Sequence, residues 1–200
     1  VANFTATNVC QGVATTLNSG LTTGTISNWN WNFNNAGGTS TQQNPSYTFT
    51  TSGTFNVVLT VTDNHGCIDD TTITVSVYAN PVADAGLPAS VCNGSSATLT
   101  ATGAGAGGTY LWSSGQTTAS ITVSPAATTV YTVTTITANG CQDTASTTVN
   151  VNTVPVADAG LPVAICQGAS TTLTASGAGP GGTYTWSKDR KSTRLNSSHL

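Results

Sequence analysis

Residues 81–113 read PVADAGLPASVCNGSSATLTATGAGAGGTYLWS, and residues 155–187 read PVADAGLPVAICQGASTTLTASGAGPGGTYTWS. At a spacing of 74 residues, 24 of 33 positions are identical. Self-similarity at a fixed period means that one supersecondary unit is repeated along the chain. The fold must therefore be modular. The match ends at Ser187, where the first copy continues SGQTTASITV from position 114 and the second continues KDRKSTRLNSSHL from 188. The third unit is expected to be truncated.

Charge breaks at the same place. All basic residues, Lys188, Arg190, Lys191 and Arg194, follow Ser187, while residues 1–187 hold only the acids Asp63, Asp69, Asp70, Asp84, Asp143 and Asp158. Residues 189–199, DRKSTRLNSSH, resemble the translation of a common sequencing adapter. Segment 188–200, with His199 and the Asn196 sequon, is therefore set aside as a non-native tail. A chain without Lys or Arg cannot neutralise phosphates, so no nucleic-acid partner is expected. No apolar run approaches the length of a membrane span, so no membrane insertion is expected in this segment.

Thr is the commonest residue, and Glu and Met are absent. β-Branched Thr and Val favour strands, and no stretch carries a helical apolar period. In Thr54–Thr62, the residues Phe55, Val57, Leu59 and Val61 alternate with polar neighbours, as in a half-buried antiparallel strand. Short strands separated by Gly, Asn and Pro turns predict an all-β chain of tandem Ig-like antiparallel β-sandwiches, the last truncated. The expected domains are 1–79, 80–152 and 153–187. Asn139-Gly140 is expected to form a type I′ hairpin turn. The Gly103–Gly108 run is read as a loop, because a phosphate cradle needs a following helix and a Lys.

The five cysteines are Cys10, Cys67, Cys92, Cys141 and Cys166. Cys92 and Cys166 are equivalent by the repeat. Cys10 is expected to pair with Cys67 and Cys92 with Cys141, each bond joining an early strand to a late hairpin turn. The partner of Cys166 then lies beyond the break. Such loops would each contribute about 4 kcal/mol on the chain-entropy relation. A disulfide framework implies an oxidising, extracellular setting. A zinc site is excluded by the absence of CxxC spacing.

Catalysis needs a nucleophile with a base, or paired acids. His65 falls in a turn and the many hydroxyls have no base near them in sequence, so no catalytic residue and no enzyme activity are expected. Asp69 and Asp70, with Asp63, are a candidate Ca²⁺ set, since hard cations take clustered oxygens. Asp84 and Asp158 recur at the domain starts and are a candidate junction Ca²⁺ site; otherwise they form turns. No other cofactor is expected. Trp31, Trp112 and Trp186 read as core residues, and Trp29 is the candidate for stacking on a sugar.

NWNWNF at 28–33, NPSYTFTTSGTFNVVLTVTDNHGC at 44–67 and the alternating strand after it resemble a PKD domain. That family shows W-D-F-G-D-G, N-P-x-H-x-Y and G-x-Y-x-V-x-L-x-V-x-D-x-x-G. Trp31 and Phe33 match the first block, and Asn44, Pro45 and Phe49 the second. Gly53, Phe55, Val57, Leu59, Val61, Asp63 and Gly66 match the third. Asn32, Asn34 and Asn35 stand where the family often has Asp. Residues 80–187 are similar to the Ig-like repeats of large bacterial gliding-type surface adhesins of the type IX secretion group. Pro81–Gly86, Cys92, Gly94, Tyr110, Trp112, Tyr131–Thr134 and Asn139–Cys141 carry that likeness. The resemblance implies a non-catalytic extracellular stalk or adhesion region. Its partners would be adjacent domains of the same chain and a cell-surface polysaccharide or protein. The alternative is an accessory module of a secreted glycoside hydrolase or peptidase. Asp70-Thr71-Thr72 and Asp143-Thr144-Ala145 resemble the O-glycosylation motif of such bacteria, which would place sugar on Thr71 and Thr144.

Overall fold

The computed structural model describes residues 1–34 and 37–187. The tail at 188–200 and Asn35 lie outside the described residues. The first compact unit, Val1–Asn152, contains two hydrophobic cores, and Thr153 onward forms the second unit.

In the first core the strands are β1 (Val9–Cys10), β2 (Ala14–Thr16), β3 (Ile26–Asn32), β4 (Thr39–Ser40), β5 (Ser46–Thr48), β6 (Gly53–Asp63) and β7 (Ile68–Tyr78). They make a five-stranded sheet in the order β1-β7-β6-β3-β4 and a two-stranded sheet β2-β5. The alternation expected at 54–62 is realised in β6, which buries Phe55, Val57, Leu59 and Val61. They meet Trp31, Phe33, Phe4, Leu17 and Phe49 in the sandwich interior. Trp31 stands edge-on to Phe4 with ring centroids 4.9 Å apart. Its indole N–H donates to the Gln42 carbonyl at 2.8 Å, so its buried polar atom is satisfied.

The second core repeats the plan with β8 (Ala89–Cys92), β9 (Ala97–Thr100), β10 (Thr109–Trp112), β11 (Ser120–Val123), β12 (Thr129–Ile136) and β13 (Gln142–Asn152). The sheets are β10-β12-β13-β8 and β11-β9. Trp112 takes the place of Trp31: it is buried and donates to the Thr118 carbonyl at 3.0 Å. Burying side chains of this class contributes roughly 1.5–3 kcal/mol each.

In both sandwiches the edge strand nearest the N-terminus runs parallel to the last strand. β1 pairs with the far end of β7, Cys10 opposite Tyr78, and β8 with the far end of β13, Cys92 opposite Asn152. The hairpin cysteines precede the other ends of these strands, Cys67 before Ile68 and Cys141 before Gln142. An 11-residue strand spans about 33 Å. The expected bonds Cys10–Cys67 and Cys92–Cys141 are therefore not formed: each would join opposite poles of one sandwich, against a Cα separation limit of about 7 Å. Cys10 is bonded instead to Cys141, with Cα atoms 5.5 Å apart and a sequence separation of 131.

The expected type I′ turn at Asn139-Gly140 is also corrected. Thr137 N donates to Cys141 O at 2.9 Å, and Gly140 N to Thr137 O at 2.9 Å. Only Gly140 of this pair has positive φ, at 82°. A longer connection closing on a left-handed glycine replaces the two-residue turn. The Gly103–Gly108 run is packed rather than loose. A Cβ on Gly103 would lie 2.1 Å from the Val82 carbonyl oxygen, and one on Gly108 would lie 2.3 Å from that of Ala104.

Among the described residues of the second unit, no strand forms. The Asp158–Ser176 bridge is the repeat equivalent of Asp84–Thr102. Trp186 is 50% exposed, whereas Trp112 is 1% exposed. The physical reason is sequence content. Ile121, Val123, Val133 and Val149, which share the core with Trp112, lie in a part of the repeat that residues 153–187 do not contain.

Candidate functional site: the cysteine poles

Each sandwich has two chemically marked ends. At the early pole, a Cys-x-Gly turn leaves the edge strand. Val13 N donates to Cys10 O and Ser95 N to Cys92 O, both at 3.0 Å. The next residue clamps the turn to the last strand: Gln11 N reaches Tyr78 O at 2.8 Å, and Asn93 N reaches Asn152 O at 2.9 Å. Gly12 and Gly94 take φ of 81° and 85°, open to glycine at little cost.

At the hairpin pole the same correspondence holds. Asp63 N donates to Cys67 O at 2.9 Å, as Thr137 N does to Cys141 O. The turn is closed by side chains that accept from the cysteine amide: Asp63 Oδ1 from Cys67 N at 2.9 Å, Thr137 Oγ1 from Cys141 N at 3.1 Å. Two residues further on, an aspartate ties down the start of its own domain. Asp69 Oδ2 accepts from Ala2 N at 2.7 Å, and Asp143 Oδ2 from Ala83 N at 2.9 Å. The backbone N–H groups of Cys67 and then His65 hold the Asp63 carboxyl below the usual carboxylate range. Those of Ala83 and then Thr144 do the same for Asp143.

These hydrogen bonds give the candidate calcium ligands other employment. Asp63 and Asp69 line one shallow depression of about 160 Å³ with Cys67, but backbone amides occupy an oxygen of each. Asp70 pairs opposite Thr60 and Asp69 opposite Val61. Neighbours along a strand point to opposite faces, so Asp69 and Asp70 do not converge on one ion. Asp84 and Asp158 each cap a turn, accepting from Gly86 N at 2.9 Å and Gly160 N at 2.8 Å. Among the described residues, no three His, Cys, Asp or Glu side chains are grouped to hold a metal. Asn32 and Asn34 replace charge with amides: Asn34 N donates to Asn32 Oδ1 at 2.8 Å and Asn34 Nδ2 to Asn56 O at 2.7 Å.

Trp29 is partly buried and packs against the first core. Its indole N–H is buried without a protein partner, and Trp29 lines a polar depression with Ser19, Gly20, Thr22, Gly24, Ile26 and Gln43. His65 is an exposed turn residue, 3.9 Å from the Asp63 carboxylate. Thr71 is half-buried on β7, and Thr144 is exposed on β13.

Sequence reasoning missed the cross-link at the junction. Tyr78 ends the first sandwich, and Ala83 is already anchored to the second by Asp143. Only residues 79–82 separate the two. The early pole of the first sandwich therefore abuts the hairpin pole of the second, and Asn80 Nδ2 adds a bond to Gln11 O at 3.1 Å. The signal was present in the unbroken alternation of Thr72, Thr74, Ser76 against Ile73, Val75, Val77 after Cys67, which puts Cys67 far from anything paired to Tyr78.

Residues 1–77 match a family model described as PKD domain. Residues 1–77 are a PKD domain. The PKD1 domain of Vibrio anguillarum Epp is 30% identical over 40% of this chain and 93% of its own length, with a TM-score of 0.33. The PKD1 domain from Vibrio cholerae metalloprotease PrtV is 32% identical over 38% of this chain and 94% of its own, with a TM-score of 0.34. Fibronectin(III)-like modules of Clostridium thermocellum CbhA align with 76% of this chain and 95% of their own at 13% identity and a TM-score of 0.39. No curated protein sequence matches the chain. PKD domains are generally non-catalytic modules, and with the disulfide this suggests an extracellular accessory or adhesion domain. No described helix is long and apolar enough to cross a membrane.

Proposed function

We propose that this chain is a non-catalytic extracellular spacer that holds a neighbouring domain away from the surface bearing it. The observation that carries this reading is the Cys10–Cys141 bond between two separately cored sandwiches. A cross-link at a domain junction adds nothing to a reaction, but it removes the swivel that a four-residue linker would otherwise permit. The Thr- and Ser-rich composition and the aspartates bonded to backbone amides fit a spacer better than a ligand site. A type IX surface adhesin is the parent this reading favours. A second reading, an accessory module of a secreted hydrolase or peptidase, is favoured by the 32% sequence identity to a domain of a metalloprotease.

The test couples the full chain to beads at its C-terminus, with a small epitope at its N-terminus. A bulky antibody conjugate should reach the epitope about as well as a small Fab does, and far better than on beads carrying the epitope alone. Equal access with and without the chain would refute the spacer. Saturable binding of the bare chain to polysaccharide or cell walls would replace it with direct adhesion.

A further inference from the structure

The bonded pair in the first unit is formed by one cysteine of each class, the early cysteine of one sandwich and the hairpin cysteine of the next. Two more cysteines occupy the same two local structures with no partner. Cys67 is a hairpin cysteine built as Cys141 is, with the following aspartate anchoring the domain start. Cys92 is an early cysteine built as Cys10 is, clamped to the end of the last strand. Both thiols are exposed, and neither faces the other, because they belong to outward poles of the two-sandwich unit. The Cys67 pole also shows an exposed Ile68, 70% accessible, at the rim of the depression lined by Val1, Ile26 and Asp69.

We propose that Cys67 and Cys92 are the open halves of two further inter-domain cross-links, so that successive sandwiches are stapled in series. Cys67 takes the early cysteine of a sandwich domain on its N-terminal side, and Cys92 takes the hairpin cysteine of one on its C-terminal side. Cys166 carries the same turn, with Ala169 N donating to Cys166 O at 3.0 Å and Gly168 at φ 85°, and is the next early cysteine in the series. The bond forms by thiol–disulfide exchange with a disulfide-donating oxidoreductase. One protein thiolate attacks the enzyme disulfide, the second thiolate displaces it from the mixed disulfide, and the enzyme leaves as a dithiol carrying the two electrons. A short linker holds the two thiols at millimolar effective concentration, which favours the neighbouring domain over a second molecule. The inference rests on the geometry of the observed bond and holds whether the array spaces a domain or binds a surface itself.

The test uses the two-sandwich unit, which has both its cores, in tandem. Residues 1–155 are followed directly by a second 1–155, so that Val1 follows Pro155 as Val82 follows Pro81. Cys67→Ser in the first copy and Cys92→Ser in the second leave one open cysteine of each class. After oxidative refolding, the protein is digested with chymotrypsin and its cross-linked peptides are identified by mass spectrometry. The expected result is near-complete linkage of Cys92 in the first copy to Cys67 in the second, beside Cys10–Cys141. Inserting a long flexible linker between the copies should reduce that linkage several-fold. Recovery of both as free thiols while Cys10–Cys141 forms would overturn the proposal. So would a Cys92–Cys141 bond, or failure of Cys10–Cys141 itself, since that bond is the template.

Discussion

Removing the Cys10–Cys141 bond should lower the stability of both sandwiches, not of one. When the second domain unfolds while the first stays folded, Cys10 remains fixed beside Tyr78. The loop to be closed then runs from Tyr78 to Cys141, about 60 residues, for about 4 kcal/mol of lost chain entropy. When the first domain unfolds instead, Ala83 remains fixed beside Asp143. The loop then runs from Cys10 to Ala83, about 70 residues, again about 4 kcal/mol. Domains of this size shift by about 4–8 °C per kcal/mol, so the full effect is about 15–30 °C. Native-state strain and residual unfolded structure commonly reduce such values, and about 2 kcal/mol, or 10 °C, is the smallest effect consistent with the argument. The measurement is calorimetry of the full chain with Cys67, Cys92 and Cys166 changed to Ser, with and without Cys10→Ser and Cys141→Ser. Trp fluorescence follows the same transitions, since Trp31 lies in the first core and Trp112 in the second. Shifts below about 5 °C in both transitions, or a shift confined to one, would refute the reasoning.

Trp112→Ala should destabilise the second sandwich by about 3–5 kcal/mol through a cavity in its core, measurable by urea unfolding of the full chain. Thr135 and Thr147 are buried with hydroxyls lacking a protein partner. Thr147→Val should therefore stabilise by about 1 kcal/mol in the same assay; a loss would mean that the hydroxyl is satisfied by water. Gly103→Ala should cost more than Gly105→Ala. Both have positive φ, but only Gly103 would drive its Cβ into a carbonyl. The folded-state carboxyl of Asp63 is held low, so its contribution is fully present above the ordinary carboxylate range and is lost as pH falls through the depressed value. Asp63→Asn should flatten the acid limb of the first domain's stability against pH in an acid-titration melt.

The local elements were legible because strands announce themselves by alternation and turns by glycine. Phe55, Val57, Leu59 and Val61 read as one face of a strand and are that face of β6. Trp31 and Trp112 read as core residues and are buried. The aspartates were ambiguous, because a carboxylate that caps a turn and one that binds a cation carry the same letter. What the tertiary structure adds is the set of backbone N–H groups that donate to Asp63, Asp69 and Asp84.

The sequence by itself determined that the chain is all-β and modular, that its period is near 74 residues, and that its cysteines fall into two recurring local settings. Tertiary structure alone decided which cysteine meets which. The edge strand could lie along either end of the last strand without altering any local pattern. Its parallel pairing at the far end places the two cysteines of one domain at opposite poles and brings Cys10 to Cys141. Disulfide partners are set by through-space distance between strand ends, and alternation along a single strand does not encode that distance.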